Sequence, residues 1–360
     1  PQITAVGSSG EYVVTYYGVD SNGDNSIFVQ KFNADGTTQG SQVKLEATGV
    51  TTQYDNNPQI TAVGSSGEYV VTYDGRDSNG DYSVFVQKFN ANGTIQGSQV
   101  MLEATGVTNG SDTSPQITAV GSSGEYVVTY VGKDSNGDNS IFVQKFNADG
   151  TVQGSQVMLE ATGVTNGHDY NPQITAVGNS GEYVVTYHGI DSNGDNSIFV
   201  QKFNANGTTQ GSQVKLEATG VTNGSDTSPQ ITAVGSSGEY VVTYVGKDSN
   251  GDNSIFVQKF NADGTVQGSQ VMLEATGVTN GHDYNPQITA VGNSGEYVVT
   301  YHGIDSNGDN SIFVQKFNAN GTIQGSQVML EATGVTNRSD SGPQITAVGS
   351  SGEYVVTYYG

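Results

Sequence analysis

Residues 1–18 read PQITAVGSSGEYVVTYYG, and the same eighteen residues stand at 343–360. Between them the phrase PQITAVG returns at 58, 115, 172, 229 and 286, a period of 57 residues kept without insertion or deletion. All seven prolines fall on this period. A fixed repeat of this kind marks a solenoid, propeller or array, in which each unit buries its apolar faces on its neighbours. The units are 1–57, 58–114, 115–171, 172–228, 229–285 and 286–342, and 343–360 repeats the first two strand signals as the start of a seventh. Units 115–171 and 229–285 are identical, and 172–228 differs from 286–342 at five positions, so the units were copied in pairs.

Each unit carries four strand signals and no helical period. QITAV (2–6) is short and alternating. EYVVTYY (11–17) sets Tyr12, Val14 and Tyr16 on one face and Val13, Thr15 and Tyr17 on the other. SIFVQKF (26–32) sends Ile27 and Val29 one way and Phe28 and Phe32 the other. SQVKLEA (41–47) offers only Val43 and Leu45, on one face. β-Branched and aromatic residues at period two fit a pleated strand. GSSG (7–10) and NADG (33–36) read as tight turns, GVDSNGDN (18–25) as a longer loop, and TGVTTQYDNN (48–57) as the passage to the next unit, where Pro opens a strand.

Four up-and-down strands, the first three apolar and the fourth polar, match the pattern of a propeller blade. The expected fold is all-β: tandem four-stranded antiparallel repeats packed like β-propeller blades, the rival being an open β-superhelix or solenoid of the same units. The aromatic set Tyr12, Tyr16, Phe28 and Phe32 is expected in the core between units rather than on a sugar-stacking surface. Tyr17, replaced by Asp74, Val131 and His188 in later units, behaves as a surface position. Because both ends carry the same two strands, 343–360 is expected to begin a further unit, not to complete the sheet of 19–57.

Composition narrows the partners. Of 360 residues 50 are Gly, none is Cys or Trp, and the net charge is −23. That charge argues against nucleic acid and anionic membrane surfaces, and no apolar run is long enough to span a bilayer. An acidic chain without cysteine fits an extracellular or cell-surface setting.

The repeat resembles units found in very large secreted bacterial proteins of the RTX and haemolysin-type calcium-binding kind. The residues that carry the resemblance are PQITAVGSSGEYVVTY, DSNGDNSIFVQKFNADGT and GSQVKLEATG. Three departures stand out: Tyr16 where that pattern has Trp, Lys31 where it has Arg, and GSSGEY in place of D-G-G-F. The resemblance covers every unit and implies a surface or biofilm component.

The loop DSNGD is the strongest candidate for ligand chemistry. Its Asp, Asn and Asp stand at the 1, 3, 5 spacing with which calcium loops aim oxygens at one ion. The candidate calcium ligands are Asp20, Asn22 and Asp24; Asp77, Asn79 and Asp81; Asp134, Asn136 and Asp138; Asp191, Asn193 and Asp195; Asp248, Asn250 and Asp252; and Asp305, Asn307 and Asp309. The glycine falls at the fourth place and no glutamate at the twelfth, so the same letters also read as a turn in which Asp and Asn bond their own backbone.

Glu11 and Glu46 recur in every unit, which speaks against a single hydrolytic carboxylate pair. The four His (His168, His188, His282, His302) fall one in each of the last four full units and are absent from the first two. Near-perfect symmetry leaves no asymmetric constellation, so the sequence predicts no enzyme. It predicts instead a structural repeat segment of an extracellular filament, matrix or adhesin, associating with itself or with neighbouring repeats. The alternative is a multivalent carbohydrate- or ligand-binding propeller with surface glycans as partners.

Overall fold

A computed structural model of the chain describes residues 1–47, 54–105, 107, 110–161, 164, 167–219, 221, 224–275, 281–331 and 339–360. Among them run twenty-six strands and no helix. Unit 1 holds β1 (Gln2–Val6), β2 (Glu11–Val19), β3 (Asn25–Phe32) and β4 (Thr38–Leu45). Unit 2 follows with β5 (Asp55–Val63), β6 (Glu68–Arg76), β7 (Tyr82–Phe89) and β8 (Ile95–Leu102). Then come β9 (Thr113–Val120), β10 (Glu125–Lys133), β11 (Asn139–Phe146) and β12 (Val152–Leu159). The fourth set is β13 (Asp169–Val177), β14 (Glu182–Ile190), β15 (Asn196–Phe203) and β16 (Thr209–Leu216). The fifth is β17 (Thr227–Val234), β18 (Glu239–Lys247), β19 (Asn253–Phe260) and β20 (Val266–Leu273). The sixth is β21 (Tyr284–Val291), β22 (Glu296–Ile304), β23 (Asn310–Phe317) and β24 (Ile323–Leu330), followed by β25 (Ser341–Val348) and β26 (Glu353–Tyr359).

Each set of four is one antiparallel sheet in sequence order, and β25–β26 form a two-stranded sheet of their own. The first strands of the sheets pack in succession, β1 on β5, β5 on β9, and so on to β25 on β21. The sheets are blades of a β-propeller, their first strands innermost and their fourth outermost.

The faces meet as alternation requires. Val6, Val13, Ile27, Val29, Leu45 and Ala47 of blade 1 bury against Tyr69, Val71, Tyr73, Phe85 and Phe89 of blade 2. The same set recurs at the following four interfaces. Cross-strand rings stack within each blade, Tyr69 on Phe89 at 4.8 Å and Tyr73 on Phe85 at 5.6 Å between centroids. The expected core of Val14, Tyr16 and Phe28 equivalents is therefore fully buried from blade 2 to blade 6. In blade 1, with no blade before it, these three are half-buried. The last hairpin packs its Tyr354 and Val356 on blade 6 and leaves Val355 about half exposed, pairing with no strand of blade 1 among the described residues.

Two sequence expectations are corrected. The strand begins ahead of the proline: β5 starts at Asp55, and Pro58 sits at a bulge where the register shifts between Asn56 and Gln59. A bulge leaves one residue unpaired, which accommodates the missing N–H. Tyr17 is 53 % exposed in blade 1, as expected, but the same position is buried as Asp74, Val131, His188 and Val245, with Val131 and Val245 packed against the following blade.

Candidate functional site on the propeller axis

The residue before each proline adopts a conformation that L-residues rarely take. Asn57, Ser114, Asn171, Ser228 and Asn285 have φ of 50, 56, 52, 54 and 51°. Proline disfavours the right-handed helical region for its predecessor, and Asn visits the left-handed one more readily than Ser does. A strained residue costs on the order of 1–3 kcal/mol and persists only where its surroundings hold it. Here five such residues, four of the prolines after them (Pro115, Pro172, Pro229 and Pro286) and the five following glutamines, Gln59 to Gln287, surround one cavity of about 320 Å³ on the axis. Its lining is amide, hydroxyl and pyrrolidine, with no charged side chain among the described residues.

Behind this ring stand the side chains that break the symmetry. Asn57 Nδ2 donates to Asp74 Oδ1 at 2.8 Å. Burial pushes the Asp74 carboxyl up to about 6, although hydrogen bonds from the Asn57 amide and the Ser114 backbone N–H act the other way. Burial likewise lowers His188 to about 4 and moves His302 down. Asn285 Nδ2 lies 3.4 Å from His302 Nδ1. Asp74, Val131, His188, Val245 and His302 thus give five like blades supports of three chemistries: a carboxyl, two valines and two imidazoles.

The DSNGD loops close on themselves. Asp77 Oδ1 accepts the Asn79 and Asp81 backbone N–H groups at 2.8 and 3.2 Å, and its Oδ2 accepts from the Asn79 side chain at 3.0 Å. Asp134/Asn136/Asp138, Asp248/Asn250/Asp252 and Asp305/Asn307/Asp309 repeat this pattern. In Asp20/Asn22/Asp24 and Asp191/Asn193/Asp195 the Asn still bonds the first Asp. The first Asp thereby spends one oxygen on backbone N–H groups and the other on the Asn side chain, and among the described residues no three acidic or histidine side chains converge as a metal cage. His168 and His282 accept the Asn139 and Asn253 backbone N–H groups, each at 3.0 Å, as ordinary loop partners.

A buried aspartate in each interblade passage escaped the sequence reading. Asp112 is 1 % exposed, donates its N–H to Tyr82 O at 2.7 Å, and accepts the Ala104 N–H on Oδ2 at 3.0 Å. Its Oδ1 has no partner and lies where a Cβ on Gly132 would come within 2.3 Å, so that position admits only glycine. Burial raises Asp55, Asp112, Asp169, Asp226 and Asp283 to about 8. The available signal was an Asp held in every unit inside the most variable loop. Glu11 and Glu46 take separate ion-pair roles, with Lys31 at 3.0 Å and Lys44 at 2.5 Å respectively.

No protein family model matches the chain, and no curated protein does. Among solved structures the chain is similar to the α-L-arabinofuranosidase of glycoside hydrolase family 93 from Fusarium graminearum in complex with arabinobiose. The TM-score is 0.52 at 12% identity over 88% of this chain and 91% of that one. A mutant of that enzyme with an iminosugar inhibitor gives 0.50 at the same identity and coverage. A Penicillium chrysogenum α-L-arabinanase complexed with arabinobiose gives 0.48 at 12% identity, over 89% and 99% of the two chains. The likeness shows the fold.

The chain is a β-propeller of the architecture used by glycoside hydrolases.

The expectation that the chain is not an enzyme is corrected by this likeness, because the solved propellers that resemble it are glycoside hydrolases. The argument from symmetry also fails physically. A propeller brings the inner strands of different blades to one axis, and Asp74, His188 and His302 make their surroundings unequal. A filament or adhesin role finds no support in these comparisons. Among the described residues no helix is long and apolar enough to cross a membrane.

Proposed function

We propose that this propeller binds a neutral oligosaccharide in its axial cavity, at the cell surface or outside the cell. The observation that carries the reading is the ring of five glutamines and five strained Asn/Ser residues around one uncharged polar space. A side-chain amide offers both a donor and an acceptor, which suits the vicinal hydroxyls of a sugar. About 320 Å³ is at the small end of ligand pockets, in the range of a short oligosaccharide. The arabinofuranosidase of the same fold is seen with arabinobiose, which makes short arabino-oligosaccharides the first ligands to try.

Titration calorimetry with neutral oligosaccharides, arabinobiose included, tests the reading. Gln116→Ala combined with Gln173→Ala is expected to weaken binding at least tenfold while the far-ultraviolet dichroism stays unchanged. Binding that ignores the double substitution, or no binding across the panel, overturns it. A reducing-sugar assay on the same samples reports whether binding leads to hydrolysis.

A further inference from the structure

The residue before each proline and the seventh residue of the second strand change together from blade to blade. Asn57, Asn171 and Asn285 stand with Asp74, His188 and His302, whereas Ser114 and Ser228 stand with Val131 and Val245. Gly342 stands with Tyr359, whose ring a Cβ at 342 would meet at 3.0 Å. The two positions lie seventeen residues apart and vary as a pair because strand pairing sets them side by side, with Asn56 opposite Asp74 and Tyr284 opposite His302. The axial ring therefore runs amide, hydroxyl, amide, hydroxyl, amide, each kind with its own support.

Among these supports Asp74 alone is a carboxylate. It is 2 % exposed and accepts from two neighbouring members of the ring, Asn57 Nδ2 at 2.8 Å and the backbone N–H of Ser114 in the next blade. An ionised carboxylate only accepts, so Asn57 keeps its nitrogen turned to Asp74 and its oxygen is the amide atom left for a ligand. The imidazoles do less. His188 Nδ1 is fully buried with no hydrogen-bond partner among the described residues, and His302 Nδ1 stands 3.4 Å from Asn285 Nδ2. Val131 and Val245 offer no hydrogen bond at all. Among the described residues, only the edge between Asn57 and Ser114 is held by a charge.

Five near-equal blades around one axis would accept a ligand in five rotated poses. One charged clamp removes that equivalence. We propose that Asp74 is the positioning residue of the axial site: it fixes Asn57 and Ser114 as the edge where a ligand hydroxyl donates to Asn57 Oδ1, and so sets the pose of the ligand. The inference rests on sugar binding in the axial cavity and names the contact that orients it.

The clamp has a pH signature. Asp74, at about 6, loses its charge on mild acidification and with it the acceptor that holds the Asn57 nitrogen. Asp55 on the neighbouring strand is the titratable group that feels the Asp74 charge, and it keeps its own proton to about pH 8. Arg76, two residues along the same strand, lies over the Tyr82 ring at 5.3 Å. His188 and His302 back other members of the ring, and burial lowers both. Affinity is therefore expected to fall as the pH drops through about 6.

Asn57→Ser with Asp74→Val copies the Ser/Val pair of blades 3 and 5 into blade 2, so the fold already accommodates it. Titration calorimetry with the neutral oligosaccharides, arabinobiose included, is expected to show about tenfold weaker binding for this variant at neutral pH, the loss of one charge-assisted bond. Below about pH 5 the two chains are expected to bind alike. Adding Ser114→Asn with Val131→Asp moves the clamp one blade on and is expected to restore both affinity and pH dependence, which a merely structural role for Asp74 would not. Without ligand, the Asn57 side-chain amide signal in NMR is expected to move with a midpoint near pH 6, and to stay still in Asp74→Val. No binding of any oligosaccharide by the unaltered chain overturns the axial reading, and this inference with it. Binding that the paired substitution leaves unchanged, or an Asn57 amide that does not titrate, overturns the role of Asp74 alone.

Discussion

Lys31 of the first blade reaches across to Ala91 of the second. Its Nζ donates to the Ala91 carbonyl at 2.6 Å and to Glu11 Oε2 at 3.0 Å, with the side chain 3 % exposed. Lys88, Lys145, Lys202 and Lys259 repeat the link to Ala148, Ala205, Ala262 and Ala319 at 2.6–2.7 Å. One residue in each of blades 1 to 5 therefore joins an intrablade ion pair to an interblade hydrogen bond. The link lies on the side of the apolar interface toward the outer turns.

Removing that link is expected to cost a buried charge-assisted bond and to leave a glutamate without its partner. Lys145→Met should destabilise by about 1.5–3 kcal/mol, the range for hydrogen bonds to charged groups. Lys316→Met should cost under about 1 kcal/mol, because Lys316 is 30 % exposed and, among the described residues, pairs only with Glu296. Urea unfolding of the two variants checks the difference. Equal losses would mean that the interblade bond adds nothing.

Phe85 and Phe28 occupy the same place in successive blades, yet Phe85 is fully buried and Phe28 half-buried. Phe85→Ala is expected to cost about 3–5 kcal/mol, the usual loss for a core aromatic, and Phe28→Ala distinctly less. Chemical denaturation monitored by tyrosine fluorescence reads both. A Phe28→Ala loss as large as that of Phe85→Ala would show that blade 1 is covered in solution.

The buried aspartates set the pH dependence. Asp55, Asp112, Asp169, Asp226 and Asp283 hold their protons to about pH 8 in the folded chain, against 3.8 when free. Between those values the unfolded chain gives up protons that the folded chain retains, so stability falls as pH rises. His188 and His302, lowered by burial from 6.5, act in the opposite sense, but only below pH 6.5. From pH 6.5 to 8 the aspartates act without that opposition. The Tm by scanning calorimetry is expected to drop by several degrees over that interval, and Asp112→Asn with Asp226→Asn should flatten the slope. A Tm that rises over this interval would show these carboxyls to be ionised in the fold.

The period of 57 residues, the alternation in EYVVTYY and SIFVQKF, and the polar fourth strand determined the blade and its two packing faces. These are local facts: a strand's two faces follow from period two, and identical units must meet through identical interfaces. Three things depended on the assembled molecule. The Asn/Ser-Pro-Gln steps looked like strand openings, and only curvature around an axis gathers five of them into one cavity. Asp74 and His188 looked exposed because a polar residue in a varying column suggests solvent, yet both are buried once the blades assemble. Glu46 and Asp20 stand twenty-six residues apart in sequence, and only the pairing of β3 with β4 brings them to the same ammonium. Contacts between distant segments carry no periodic signature, so they were decided by the tertiary structure.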